Sequence, residues 1–468
     1  MKSRLLSVVS LIGFRWRYAT LGQRCWNVLC LLMFAYSCVE LCRKLLINDI
    51  KLWLDLPYAG LGIVFSIVAI SKSLFGVLFY AFSERRLVPF KERNDSGKIR
   101  LQKGWNRIGL SANDVNAGFE VVRMNGPVDF IASSPRLNKA LVEGGDILYK
   151  EINARRIPLW RRINRQLSSA TELLYLKQRV SPCNSFFNES KVAVVGADYV
   201  NDTSVALRLE IAKSCYYASY LSNEVYRDAV YDVIAENVID NGVVDIWQPF
   251  DRENGNVVLR EFDGYNSMHI GVNTIGLTSD GYFCIWKQVQ GEHSREMSAP
   301  TGSGSMDWAD MCISRDNGRS GEYRSIKDAI IYGVERELTE ESFDGETKKK
   351  LRSSGKTLET RIIGFYRWGS RGGLPGFICA TKIPLGYSDI APRGKGEVNK
   401  QKSLKDLRFV GGMTKIEKLT EISKFENRCG KDTVPSVPLQ VCLRFLRAAL
   451  EDMDFDRFFS VDVRVVRS

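Results

Sequence analysis

Arg336-Glu337-Leu338-Thr339-Glu340-Glu341-Ser342 is the stretch on which the fold of this chain turns, because it sets three glutamates within one turn of a predicted helix. The helix is signalled upstream. Ser325 followed by Asp328 reads as a capping box, and Ile326, Ile330 and Val334 recur at helical spacing. At about 3.6 residues per turn, Glu337, Glu340 and Glu341 continue that apolar stripe, so the spacing predicts that they point inward. Inward carboxylates at this density repel one another and lose hydration. They call for an arginine or for a hard cation bound through oxygen, and Mg²⁺ is the natural one.

Strands are predicted on both sides of this helix. Upstream, His269 to Gln288 (HIGVNTIGLTSDGYFCIWKQ) reads as two strands about a Ser-Asp-Gly turn, and Ser298 to Asp307 (SAPTGSGSMD) as a Gly/Ser-rich loop. Downstream, TRIIGFYRW and GFICATKI read as strands, and residues from Pro438 to Met453 as an amphipathic helix.

The string from Arg336 to Glu341 resembles the core of the Nudix box, G-x5-E-x7-R-E-U-x-E-E-x-G-U, where U is apolar. The rest departs from it: Asp328 stands at the first glutamate, Glu322 at the opening glycine, and Phe343 and Asp344 at the closing Gly-apolar pair, with Gly345 left to stop the helix. A charged surface helix would carry the same string. The resemblance implies an α/β domain, an α/β/α sandwich, over residues 266–468. It also implies Arg336, Glu337 and Glu340 as catalytic residues, with Arg336 orienting Glu337. Glu337, Glu340 and Glu341 would hold Mg²⁺ on a substrate diphosphate.

The N-terminal end has a different character. Residues 1–23 form a basic lead-in, and residues 24–82 hold two apolar stretches, WNVLCLLMFAYSCVELC and YAGLGIVFSIVAISKSLFGV, each near the roughly 20 residues that cross a bilayer. A transmembrane α-hairpin ahead of the α/β domain is the expectation, with a pair of buried core helices as the alternative. Arg15, Arg17 and Arg24 before the hairpin, and Arg85, Arg86, Lys91 and Arg93 after it, place both ends on the cytoplasmic side. Residues 83–265 read as a mixed α/β region without a motif, in which KVAVVGADYV is strand-like and the run from Leu207 to Ile234 helix-like.

With 468 residues and 45% hydrophobic composition, the chain has ample material for several cores. Only two histidines are present, which leaves little for a histidine metal site or a Ser-His-Asp triad. The eleven cysteines show no Cys-x-x-Cys spacing and fit reduced thiols. A net charge of +12 favours anionic partners. Part of that charge lies in Ala154 to Arg165 (ARRIPLWRRINR), which reads as a basic surface helix beside anionic lipid. No helix-turn-helix, zinc-finger or RNA-binding signature is present, so a nucleic-acid polymer is not an expected partner.

A membrane hairpin joined to a Nudix-like domain resembles the transmembrane-Nudix effectors of bacterial cyclic-oligonucleotide antiphage signalling (CBASS). That resemblance implies a multi-pass inner-membrane protein, its C-terminal domain cytoplasmic, which binds a cyclic oligonucleotide made by a paired nucleotidyltransferase. It further implies that the chain self-associates and disrupts the lipid bilayer. Flat bases and phosphodiesters need cations and aromatic faces, and Tyr366, Arg367, Trp368 and Arg371 in FYRWGSRGG are the candidate ligand-binding residues. A surface hairpin with an aromatic pair is an equal reading of the same segment. The rival function is a membrane-tethered, Mg²⁺-dependent hydrolase of a nucleoside diphosphate derivative.

Overall fold

The structure, a computed structural model, describes residues 39, 85–89, 108–124, 130–152, 189–200, 204–223, 228–232, 237–241, 250–251, 256–259, 261–262, 267–288, 297–315, 322–390, 407–409 and 435–451. The chain divides into two compact units whose segments interleave along the sequence. In the first, Arg85–Pro89, Asp228–Asp232 and Asn237–Asn241 form an antiparallel three-stranded sheet.

The second unit takes residues 100–157, 187–227 and 247–468. Its main elements are β1 (Glu120–Arg123), β2 (Phe130–Ser133), α1 (Pro135–Val142), β3 (Asp146–Glu151), β4 (Ser190–Tyr199), β5 (Val205–Cys215), β6 (Met268–His269), β7 (Gly271–Thr278), β8 (Phe283–Cys284) and β9 (Gly302–Ser305). Then follow β10 (Arg324–Ser325), α2 (Lys327–Ser342), α3 (Gly345–Ser353), β11 (Glu359–Trp368), β12 (Leu374–Ile383) and α4 (Val437–Ala449). One sheet has the order β8-β7-β12-β11-β2-β1, with β9 also paired to β7, and a second has the order β6-β4-β5-β3-β10. Pairing is mixed: β7 with β12 and β3 with β5 are parallel, and β11 is antiparallel to both its neighbours.

Strand β12 is buried at nearly every position, which means that both faces of its sheet are covered. Helix α2 packs against β9, β7, β11 and β12, and α4 against β7, β11 and β12. The 16-residue α2 buries Ala329, Ile330, Val334 and Leu338 along one stripe. Its C-terminal end is anchored by Phe343, fully buried among Cys284, Leu338, Ile383, Leu385 and Ile390. Helix α4 starts at Ser436, whose hydroxyl caps the Leu439 amide, and it inserts Phe445 where Gly364 has no side chain.

Several expectations are corrected. The described residues form a sheet-rich mixed α/β structure with few helices, not the expected transmembrane α-hairpin followed by an α/β/α sandwich, and among them no helix is long and apolar enough to cross a membrane. The physical reason is length and charge. The longest helix among the described residues, α2, has 16 residues and carries five acidic side chains along its length, whereas a span needs about 20 largely apolar ones. The two apolar stretches at 24–42 and 58–77 lie, Val39 apart, outside the described residues, as does the basic run 154–165.

The helix-like run from Leu207 instead begins as strand β5, because Leu207, Leu209 and Ile211 alternate inward between β3 and β4; among its described residues, Tyr216–Asn223 alone is helical. The Gly/Ser segment is strand β9 rather than loop. Ser325 is not the N-cap of α2: it lies in β10, donates to Asp146 at 2.7 Å and accepts the Lys327 amide at 3.4 Å, while Ile326 occupies the cap position without a side-chain bond. Gly345 opens α3 instead of stopping α2, and Asp344 caps α3 through the Thr347 amide.

Candidate functional site

The acidic helix meets the sheet at β9. Strand β9 pairs with β7 so that Asn273 lies opposite Ser303, and its glycines let the helix approach. A Cβ at Gly302 would stand 2.8 Å from the Leu338 backbone, and one at Gly304 would fall within 2.2 to 2.4 Å of the Glu337 carboxylate. At Gly302 the clash is with backbone and only glycine fits, whereas at Gly304 a methyl would displace the Glu337 carboxylate. The sequence Gly-Ser-Gly-Ser therefore sets how deeply Glu337 is held, and the carboxylate is sunk against the strand backbone with 13% of its side chain exposed.

Arg336 lies at the centre of the charges. Its Nε and Nη2 donate to the two oxygens of Asp310 at 3.0 and 3.1 Å, a bidentate fork. Nη2 also reaches Asp307 at 3.2 Å, Glu337 at 3.1 Å and the Ser305 carbonyl at 3.3 Å, and Nη1 reaches Glu340 at 3.3 Å. A second cation, Lys191 on β4, is buried beside them. It donates to Asp307 and, at 3.2 Å, to Glu189. Five carboxylates thus share two cations.

The electrostatics follow from this crowding. Burial pushes the Glu337 carboxyl up to about 7; Arg336 and Lys191 pull against that rise, and Glu340 and Asp307 add to it. For Lys191, burial would lower the ammonium, but the hydrogen bond to Asp307 and the charges of Asp307, Glu337 and Glu189 outweigh it and hold the group above its ordinary value. Arg336 is affected in the same way: the cost of burial is exceeded by Asp310, Glu337 and Asp307, so it stays charged. Glu341 turns toward the strand, where its carboxylate accepts the Ser303 amide at 2.8 Å. The Ser303 hydroxyl donates to Asn273 at 2.8 Å, and the Asn273 amide donates to the Tyr366 hydroxyl at 3.4 Å.

The structure therefore brings Arg336, Glu337, Glu340 and Glu341 together. Of the aromatic-basic segment, only the Tyr366 hydroxyl is joined to them, through Asn273 and Ser303; none of Arg367, Trp368 and Arg371 is among the contacts described for these acids. Tyr366 and Trp368 are buried, and Arg367 is fully buried in an ion pair with Asp114 at 2.8 Å, its guanidinium 4.4 Å from the Phe262 ring centre. Tyr199 joins that pair by donating to Asp114 at 3.2 Å. Arg371 lies over the Trp368 ring at 4.9 Å. These contacts make Tyr366 and Arg367 part of the core packing.

Asp307, Asp310 and Lys191 were not legible as site residues in the sequence. Asp307 and Asp310 follow Gly-Ser-Gly-Ser-Met at a three-residue spacing that suits a short turn, and the Asp307 amide does donate to Asp310 at 2.8 Å. That spacing was the available signal. Lys191 carried none, because it opens a strand more than a hundred positions away in sequence.

The donor set is all carboxylate oxygen and carries more negative charge than its two cations balance, which suits a hard divalent cation. Among the described residues, however, no group of three or more His, Cys, Asp or Glu converges to hold a metal ion. Those two facts are compatible for Mg²⁺, which keeps several waters and is commonly held by one or two carboxylates together with the phosphates of its ligand.

No family model and no curated protein matches the chain. Among solved structures, it is similar to the crystal structure of Tm1382, a candidate Nudix hydrolase, with 13% identity and a TM-score of 0.24 over 56% of this chain and 98% of that one. A likeness at that level fixes neither family nor chemistry.

Proposed function

We propose that the second unit acts as a Nudix-type, Mg²⁺-dependent phosphohydrolase, cleaving a phosphoanhydride bond in a nucleoside diphosphate derivative. One observation carries this reading: Glu337 and Glu341 of the box-like string are held against β9, Glu337 at Gly304 and Glu341 on the Ser303 amide, while Arg336 joins Glu337 to Glu340. When bound, the cation would neutralise phosphate charge and polarise the bond to be broken.

The chain's own residues supply the rest. One or two of Glu337, Glu340 and Glu341 would hold the cation together with the phosphates of the ligand, and Glu341 is steadied by the Ser303 amide. Arg336 fixes Glu337 in place.

A second reading is favoured by the four carboxylates already engaged by Arg336 and by the replacement of the box's closing glycine with the core residue Phe343. Here the unit binds a phosphate-bearing nucleotide, such as a cyclic oligonucleotide messenger of the CBASS type, without turning it over. One experiment separates the two. The purified protein is incubated with Mg²⁺, nucleoside diphosphate derivatives and cyclic oligonucleotides, and both binding and released monophosphate are followed. Monophosphate release that disappears in Glu337→Gln and Glu341→Gln supports the hydrolase. Saturable binding of a cyclic oligonucleotide without product supports the sensor, and neither binding nor release removes both.

A further inference from the structure

We infer that Asp310 is the positioning residue of this site, and that Gly333 is present in α2 to admit it. This rests on the cation–phosphate reading above. Arg336 has acids on two sides: Glu337 and Glu340 on its own helix, and Asp307 and Asp310 on the turn that follows β9. Only Asp310 takes it in a bidentate fork through Nε and Nη2, and that geometry sets the plane of the guanidinium. Asp310 is 1% exposed and is itself fixed by accepting the Asp307 amide. With its plane set, Arg336 meets Glu337 through Nη2 and Glu340 through Nη1, one oxygen of each, and the remaining oxygens are left to a cation.

A second observation is independent of the first. Glycine in a helix interior weakens the helix, yet α2 keeps Gly333 one turn before Arg336 on the same face. A Cβ there would lie 3.0 Å from Oδ2 of Asp310, the oxygen that takes both Nη2 and the Asp307 amide. The glycine is explained by the carboxylate it makes room for. Asp328, the acid at the box position eight residues before Arg336, is exposed and is not among the arginine's partners. Eight residues of helix separate the two by about 12 Å along the axis, beyond easy reach.

The test uses the full chain, with Mn²⁺ in the presence of inorganic pyrophosphate as probe and free Mn²⁺ counted by electron paramagnetic resonance. Loss of a residue that orients a metal ligand weakens binding by roughly 10- to 100-fold, and that range is expected for Asp310→Asn. Gly333→Ala is expected to weaken binding in the same direction while its thermal midpoint falls less than that of Asp310→Asn, since alanine ordinarily steadies a helix. Asp328→Asn is expected to bind as the parent does. If the parent binds Mn²⁺ and pyrophosphate, Glu337→Gln abolishes it, and both Asp310→Asn and Gly333→Ala bind unchanged, Asp310 has no positioning role. If the parent itself binds none, the cation–phosphate reading fails first and the role of Asp310 falls with it.

Discussion

Phe343 stands where the box-like string would close on glycine, and its ring is fully buried among Cys284, Leu338, Ile383, Leu385 and Ile390. Restoring the glycine therefore damages this chain. Phe343→Gly removes a core side chain and is expected to cost about 3–5 kcal/mol in urea unfolding, whereas Phe343→Leu, which keeps most of the volume, is expected to cost under about 1.5 kcal/mol. Near-equal effects of the two would show that the ring does not hold the end of α2. His269 gives a prediction in pH. Burial, with the charge of Lys191 adding to it, lowers its pKa to about 3, and its Nδ1 has no hydrogen-bond partner. The folded protein thus keeps His269 neutral where the unfolded chain protonates it, so the unfolded state binds more protons below about pH 6.5. Stability should fall as pH drops from there toward 3. Replacing His269 with glutamine should flatten that part of the stability profile, read as the difference between the two proteins' unfolding midpoints at each pH; a parallel pair of profiles would place the histidine's titration elsewhere.

At the scale of elements, contact between α2 and β9 decides the site's shape, and Gly302 tests it. A methyl at 2.8 Å from the Leu338 Cα and amide nitrogen meets backbone, which cannot rotate away. Gly302→Ala is therefore expected to cost about 1–3 kcal/mol by overpacking, seen as a lowered thermal midpoint. No loss would mean that helix and strand stand further apart than described here. The same contact explains what could be read from the sequence. Helix α2 was legible because Ile330, Val334 and Leu338 keep a helical period; its start was not, because Ser325 is drawn into β10 by pairing with β3. Strands β11 and β12 announced themselves through β-branched and aromatic runs. Strand β9 did not, since Gly-Ser-Gly-Ser carries turn chemistry and becomes strand only through pairing with β7. Strand β5 was hidden because Leu, Ala and Glu favour helix while its burial alternates by two. Of the site itself, the helix supplied the glutamates in one readable string, whereas Asp310 and Lys191 come from segments that only tertiary pairing brings near.

Over the whole molecule, the second unit is not a C-terminal block but an interleaving of residues 100–157, 187–227 and 247–468. Segments far upstream complete what the box-like helix begins. Strand β3 receives the Ile326 amide through the Ile147 carbonyl at 2.8 Å, just ahead of α2, and β4 binds the Met306 carbonyl through the Val192 amide at 3.1 Å, just ahead of the Asp307 turn. Strand β4 also brings Lys191 to Asp307. A fragment of residues 266–468 keeps the acidic helix and loses β3, β4 and β5. The buried backbone groups of β6 and the backbone groups of β10 then have no strand to pair with, and Asp307 has no lysine, so the cost falls on many groups at once. That fragment is expected to unfold in urea over a broad, shallow transition and to bind a hydrophobic dye in buffer, as loosely packed states do, whereas the full chain should keep a steeper transition in the same fluorescence signal. A 266–468 fragment that unfolds as sharply as the full chain, and binds Mn²⁺ with pyrophosphate equally well, would mean that the upstream strands decorate the acidic helix rather than hold it in place.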